Sequence, residues 1–293
     1  MRYLDSKKRE EEMLNLVVES YIKESKPISS CYLCEKFNLS FSTATIRNIL
    51  ESLEKKGLLS HIHISSGRVP TKKGFRYYVA HLKEEEILKE GLNIKIEIGM
   101  SDNIEELFYR TLDVLAQISK CISLVAISGW KKKMFLRGMR FILEQPEFEN
   151  INRLRSLFYT LEVKIDDLQE LLFNYLDKKW NWEEKEKVPF ASWESKCLQG
   201  QREGRENKET SSLVISLPLS KRKFCRVSIL IGDDIGFEEI SDCSLVISGF
   251  QRDDLRGSLA LLGPMRMDYI KAISSLFLVR QRLEESLRRC SSV

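Results

Sequence analysis

The hydrophobic positions change their spacing twice along the chain. From Met13 to Leu53 they recur three and four residues apart in short blocks, as in amphipathic helices. Met13, Leu14, Val17, Val18, Tyr21 and Ile22 predict a first helix over about 6–24, ended by Lys26 and Pro27. Leu33, Cys34 and Phe37 predict a second, capped by Ser29 or Ser30, with Asn38, Leu39 and Ser40 as the turn that follows. Ile46, Ile49, Leu50 and Leu53 form the stripe of a third helix, opened by Ser42 as N-cap and closed by Gly57 after Lys55 and Lys56. The pattern then becomes alternating. Leu58 to Ile64 reads as a half-exposed strand around Ser60, His61 and His63. Ser65, Ser66 and Gly67 form a turn, Val69 begins the return strand, and Pro70 stops it. Thr71 caps a fourth helix over 72–82.

A helix, a turn, a second capped helix and a hairpin in that order predict a winged helix-turn-helix, which lays one helix in the DNA major groove. The polar face of the third helix carries Thr43, Thr45, Arg47, Asn48 and Glu51. Short hydroxyls, an arginine and an asparagine near a helix N-terminus reach base edges and phosphates. Arg68 is expected at the hairpin tip, where it can enter a narrow minor groove or grip phosphate. The candidate DNA-contacting set is Ser29, Ser30, Ser42, Thr43, Thr45, Arg47, Asn48, His63, Ser65, Gly67, Arg68, Thr71, Lys72 and Arg76. His61 and His63 share a strand face, where they touch DNA or are solvated. Cys31 and Cys34 make a CxxC upstream of those histidines, but the spacing suits no common zinc finger, and Cys34 fits the inward stripe. No metal or other cofactor is expected.

Residues 83–104 read as a linker, with a charged helical start and an alternating stretch, Asn93–Gly99. It is a hinge or a plain spacer. Residues 105–293 read as a core of mixed helices and strands, so the fold class is α/β (α+β). Leu107, Phe108, Leu112, Leu115 and Ile118 mark a helix over 105–120, and Ile122–Ile127 a strand. Two helices follow, over 149–162 and 166–179. Leu154, Leu157, Phe158 and Leu161 line the first, and Leu168, Leu171, Leu172 and Tyr175 the second, as core rather than dimer seam. The stretch 181–212 is polar and Gly-containing towards its end and is expected to hold a disordered loop. Lys221, Arg222 and Lys223 then form a basic run, which touches DNA or, by default, is a solvated loop. Arg226–Ile231 and Ser244–Gly249 read as strands, and 257–269 as a strand and Gly-Pro turn before a helix to about Arg289.

Composition narrows the partners. Residues 1–83 hold fifteen Lys and Arg against nine Asp and Glu, a balance of +6, which leaves −2 for the rest of a chain of net charge +4. The positive excess therefore lies where phosphates are expected. No apolar run approaches a membrane span, and the first twelve residues lack a signal-peptide core, so a cytoplasmic protein is expected, without a membrane partner. Seven scattered cysteines fit reduced thiols. The sequence shows no phosphate-cradling glycine loop, HisGluxxHis or nucleophile elbow, and all three histidines precede residue 82, so no enzyme is expected. Asp233, Asp234, Glu238 and Glu239 follow a strand, as a cation or acid–base site or, by default, a solvated loop.

The runs AlaThrIleArgAsn (44–48), LeuGluLysLysGlyLeuLeu (53–59), SerSerGlyArgValProThr (65–71) and GlyPheArgTyrTyrVal (74–79) resemble the heat-inducible transcription repressors of the HrcA family. So do ArgGlyMetArgPheIleLeuGluGlnProGluPhe (137–148) and GlyProMetArgMetAspTyr (263–269). The chain departs from the family's wing at Ile62, Ile64 and Ser66, where Pro, Thr and Ala are expected. The resemblance implies a winged-helix domain over 1–82 and a GAF-like mixed α/β core. Only some ten residues, Ser128 to Arg137, stand where the family carries further strands and an inserted dimerisation domain, which implies a shortened core. It also implies repression of chaperone operons by a homodimer on an inverted-repeat, double-stranded DNA operator, with release on heat stress and the chaperonin GroEL as a partner. A ligand-sensing winged-helix regulator, using the GAF-like domain, is the alternative.

Overall fold

The computed structural model describes residues 2–62, 67–99, 101, 103–128, 133–175, 191–198, 208–220, 223–252 and 255–290. The chain divides into two compact units, Met1–His81 and Leu82–Val293.

In the first unit, α1 (Arg2–Glu24), α2 (Ser30–Phe37) and α3 (Thr43–Lys55) precede β1 (Leu59–His61), β2 (Arg68–Pro70) and α4 (Lys72–Ala80). Met13, Leu14, Val17 and Val18 of α1 are buried with Leu33, Ile46, Leu50, Leu53, Phe75 and Val79. The predicted stripes are thus the sides that meet. Asn38 ends α2 in the left-handed region at φ 46°, and Gly57 follows α3 at φ 72°, where a side chain would be strained. Strand β1 pairs antiparallel with β2, with His61 opposite Arg68. Ile28 adds a third bridge, its N–H donating to the Arg68 carbonyl at 2.9 Å and its carbonyl accepting from the Arg68 N–H at 2.7 Å. Gly67 is required by this approach, since a Cβ there would lie 2.5 Å from the Ile28 carbonyl.

The second unit is built on a seven-stranded antiparallel sheet, matching the expected mixed α/β class. Its strands are β3 (Ile122–Ser128), β4 (Lys133–Arg137), β5 (Ala191–Leu198), β6 (Lys208–Ser220), β7 (Lys223–Ile231), β8 (Cys243–Arg252) and β9 (Leu255–Pro264), in the order β4-β3-β9-β8-β7-β6-β5. Helices lie on both faces. Ile122, Leu124, Ala126, Leu245, Ile247, Ala260 and Leu262 pack with residues of α7 (Met139–Leu143), α8 (Ile151–Glu162) and α9 (Ile165–Asn174). The alternate residues meet α6 (Ile104–Ser119), where the Ser123 hydroxyl donates to the Leu112 carbonyl at 2.8 Å, and α10 (Tyr269–Cys290). A sheet covered twice explains why β3, β8 and β9 read as nearly unbroken apolar runs.

The charged start of the expected linker is helical, as expected, and forms α5 (Glu84–Asn93). Ile87 buries it, and its Ile87 carbonyl accepts from the Ser274 hydroxyl of α10 at 2.7 Å. The alternating stretch that follows joins no strand ladder, because an amphipathic pattern forms a strand only where an edge is open to it. The expected disordered loop is partly sheet. Strand β5 pairs with β6 from Ala191↔Ile215 to Leu198↔Lys208, because β6, already laddered to β7, offers its free edge to a polar strand. The rest of that expectation, 181–190 and 199–207, and Lys221 with Arg222 of the basic run, lie outside the described residues. Lys223 begins β7 instead of lying in a loop. Phe158, expected inside, is 41% exposed, since Leu157 and Leu161 carry the buried face of α8. The residues before Gly138 end in β4, which edges β3 from Ser123↔Arg137 to Ile127↔Lys133.

Thr71 ties the first unit together. Its hydroxyl donates to the Gly57 carbonyl at 2.7 Å and accepts from the Gly74 N–H at 3.0 Å. Thr71→Val keeps the shape and removes both bonds. The expected loss is about 1–2 kcal/mol of local stability, read as faster hydrogen exchange at the first α4 amides. Unchanged protection would show that the hydroxyl contributes nothing.

Candidate nucleic-acid interface

Helix α3 divides cleanly. Ile46, Leu50 and Leu53 are buried, while Thr43, Thr45, Arg47, Asn48 and Glu51 are all exposed. The structure thus brings the central candidates onto one free helical face. Ser42 caps this helix, its hydroxyl accepting from the Thr45 N–H at 3.1 Å and lying 2.9 Å from the Thr45 hydroxyl. The remaining first-turn amides and the helix dipole favour an anion at this end.

The C-terminal half of α3 is anchored. The Ser52 hydroxyl donates to Glu10 Oε1 at 2.6 Å, and Lys56 pairs with Glu10 Oε2. Burial pushes the Glu10 carboxyl up, but the bonds from Lys56 and Ser52 outweigh it and hold the group below the usual carboxylate range. Helix α2 is held to α1 through Glu24, whose Oε1 accepts from the Tyr32 hydroxyl at 2.7 Å and from Lys36 at 2.8 Å. These two donors, with the Lys36 charge, hold the Glu24 carboxyl low. Ser29 is exposed and caps α2, accepting from the Tyr32 N–H at 3.1 Å, and Ser30 is half-buried in its first turn.

The wing differs from its expectation in one way that matters. Arg68 is not a free arginine at the tip. It opens the β2 ladder, is half-buried, and its Nε lies 2.9 Å from Glu54 Oε2. Glu54 Oε1 meets Nδ1 of His61, so the carboxylate of α3 bridges both strands of the wing. Neither Glu54 nor His61 stands among the candidate contacts. Their link to Arg68 depends on the hairpin register, which sets His61 opposite Arg68 and which composition does not encode. Thr71 is likewise used within the fold, as cap and turn anchor. Lys72 and Arg76 are half-buried on α4, and Lys73 donates to the Lys56 carbonyl at 2.9 Å. Gly67 serves the close approach to Ile28. His63 and Ser65 lie outside the described residues.

Among the described residues the alternative chemistry is not assembled. Cys31 is exposed, and the Cys34 thiol faces the Phe41 carbonyl at 3.8 Å. Among the described residues no three His, Cys, Asp or Glu side chains converge as metal ligands. The four carboxylates after β7 are divided. Asp234 is buried and accepts from the Ile231 N–H at 3.4 Å, while Glu239 pairs with Lys164, which lowers its carboxyl. No described helix is long and apolar enough to cross a membrane.

The two units define a class, a winged helix-turn-helix protein with a mixed α/β core. Residues 92–273 match the model of the HrcA protein C terminal domain, so the chain belongs to the HrcA family. It is 26% identical over 326 residues to a protein named heat-inducible transcription repressor HrcA from Thermodesulfovibrio yellowstonii, covering 90% of this chain and 93% of that one. The protein of the same name from Desulforamulus reducens is 24% identical, with 96% and 97% covered. Matches with the Chlorobium phaeobacteroides and Chlorobium limicola proteins span about half of those chains, 53% and 46%. A crystal structure described only as a hypothetical protein shares the fold at a TM-score of 0.64 and 16% identity, over 96% of this chain and 98% of that one.

Two predictions test the interface. Arg47→Ala or Asn48→Ala should cost about 1–3 kcal/mol of binding to a specific site with the fold intact, read by fluorescence anisotropy. Unaltered affinity in folded variants would remove α3 as the reading helix. Glu54→Gln should loosen Arg68 and steepen the fall of log K with log salt by about one unit, as one more phosphate contact does. An unchanged slope would show that Arg68 makes no phosphate contact even when released.

Proposed function

We propose that this chain is a heat-inducible transcription repressor that reads operator DNA through α3. The observation that carries the reading is the exposed row Thr43, Thr45, Arg47 and Asn48 on a helix whose other side is sealed by Ile46, Leu50 and Leu53. Family membership and the relatives' names support it. The chain acts as a homodimer on an inverted repeat upstream of chaperone genes, each copy setting one α3 into one half-site. One half-site binds weakly, and two held together bind far more strongly through effective concentration. Any heating that uncouples the two copies therefore releases DNA without unfolding the reading head. The chaperonin GroEL keeps the repressor in its binding-competent form, so unfolded clients that occupy the chaperonin relieve repression.

The test is a gel-shift titration of the full chain against DNA from upstream of the host's chaperone operons, with a scrambled duplex at the same salt. Selective binding, lost on mild heating and strengthened by GroEL, is expected. Equal binding to both duplexes would overturn the repressor reading. Retention of DNA at temperatures that abolish the dimer would overturn the release step.

A further inference from the structure

Among the described residues eight large apolar side chains are exposed, and five of them, Leu143, Ile151, Phe158, Tyr159 and Val163, fall within one short stretch of α7 and α8. Such a cluster marks a covered surface more often than scattered single residues do. Its arrangement on α8 is regular. Ile151, Arg155, Phe158 and Glu162 follow one another at spacings of four, three and four, and so form one exposed stripe beside the buried face of Leu157 and Leu161.

The charges say what covers it. Arg155 and Glu162 are exposed, and neither has an ion-pair partner among the described residues. The charges beside them are already committed, Arg153 to Asp242 at 3.1 Å and Lys164 to Glu239. The outward stripe thus carries one cation and one anion on either side of an aromatic residue. Laid antiparallel on a copy of itself, it sets Arg155 beside the partner's Glu162, and the partner's Arg155 beside Glu162, with Phe158 and Tyr159 between. Self-complementarity of this kind is what a two-fold interface requires.

We propose that the outward stripe of α8 is the surface through which two copies of this chain pair. This rests on the homodimer of the preceding reading and supplies its surface. The helix has twelve residues and is about 18 Å long. One such helix pair falls at the small end of specific interfaces, which are weak and reversible. The free protein therefore exchanges between monomer and dimer, and the two half-sites of the operator hold the pair together.

Sedimentation velocity of the full chain over about 1–100 µM tests this, a range in which a weak interface dissociates. The wild type should pass from monomer to dimer with concentration. Phe158→Asp and Arg155→Glu should each raise the midpoint about tenfold or more, and Arg155→Glu combined with Glu162→Arg should restore it. All three sites are exposed, so circular dichroism should be unchanged. A wild type that stays monomeric throughout, as when a different protein covers the patch, would overturn the proposal. So would a dimer indifferent to every variant, or a reversed pair that folds but does not recover. The gel shift separates the two readings. Selective operator binding by a dimer that ignores these variants retires this surface alone, while an α8-dependent dimer without selectivity retires the repressor reading.

Discussion

The reading head depends on the burial of one side of α3. Ile46, Leu50 and Leu53 are almost wholly inaccessible, and full burial of such side chains contributes about 1.5–3 kcal/mol each. No polar contact in the unit approaches their sum. That burial fixes the rotation of the helix about its axis, and the rotation decides which residues face outward. A helix of this length would be marginal in water on its own. Its partners, α1 and α2, therefore support the candidate interface by holding the helix in place. The same constraint explains the anchoring at Glu10, which accepts from Ser52 and Lys56 and so holds the C-terminal half of α3 to α1.

The wing follows from the same seat. Thr71 and Gly57 close the turn behind α3, and the Ile28–Arg68 bridge fastens the hairpin to the segment before α2. Glu54 then sits below both strands and holds His61 and Arg68. If the proposed surface meets DNA, the cost of a carboxylate beside it is offset, because Glu54 neutralises the wing arginine until a phosphate competes for it. Phosphate contacts of this kind position a protein and carry little sequence information. On the proposed reading, selectivity falls to Thr43, Thr45, Arg47 and Asn48, none of which is paired with a carboxylate among the described residues.

Much of this was legible in the chain. Period and caps located α1 to α4 within a few residues, because Ser42, Thr71 and Gly57 act through their immediate neighbours. The exposed face of α3 followed from the buried stripe alone. What could not be read was pairing between distant residues. Arg68 looked free because Glu54 lies fourteen positions away and meets it only in the folded register. The polar stretch that becomes β5 and the start of β6 looked disordered, because a sheet edge is supplied by the neighbouring strand and not by composition. Helix α5 looked like linker because its one deeply buried residue, Ile87, gains its partner nearly two hundred residues later. Phe158 was assigned inward because an aromatic residue beside Leu157 fits either side of a wide apolar face.

That last misreading is informative about how the two units divide their work. Leu157 and Leu161 seat α8 on the sheet, so Phe158 and Tyr159 are not needed for the core. Apolar side chains kept in water without a packing role cost solubility and gain nothing for a monomer. They make sense where a second surface meets them, and α8 is seated on the same core cluster as β3, β8 and β9. Loss of core order would disturb that outer stripe while leaving the separately packed stripe of α3 intact. On the proposed pairing, release from DNA needs only the loss of that pairing, a smaller change than unfolding the domain that carries α3.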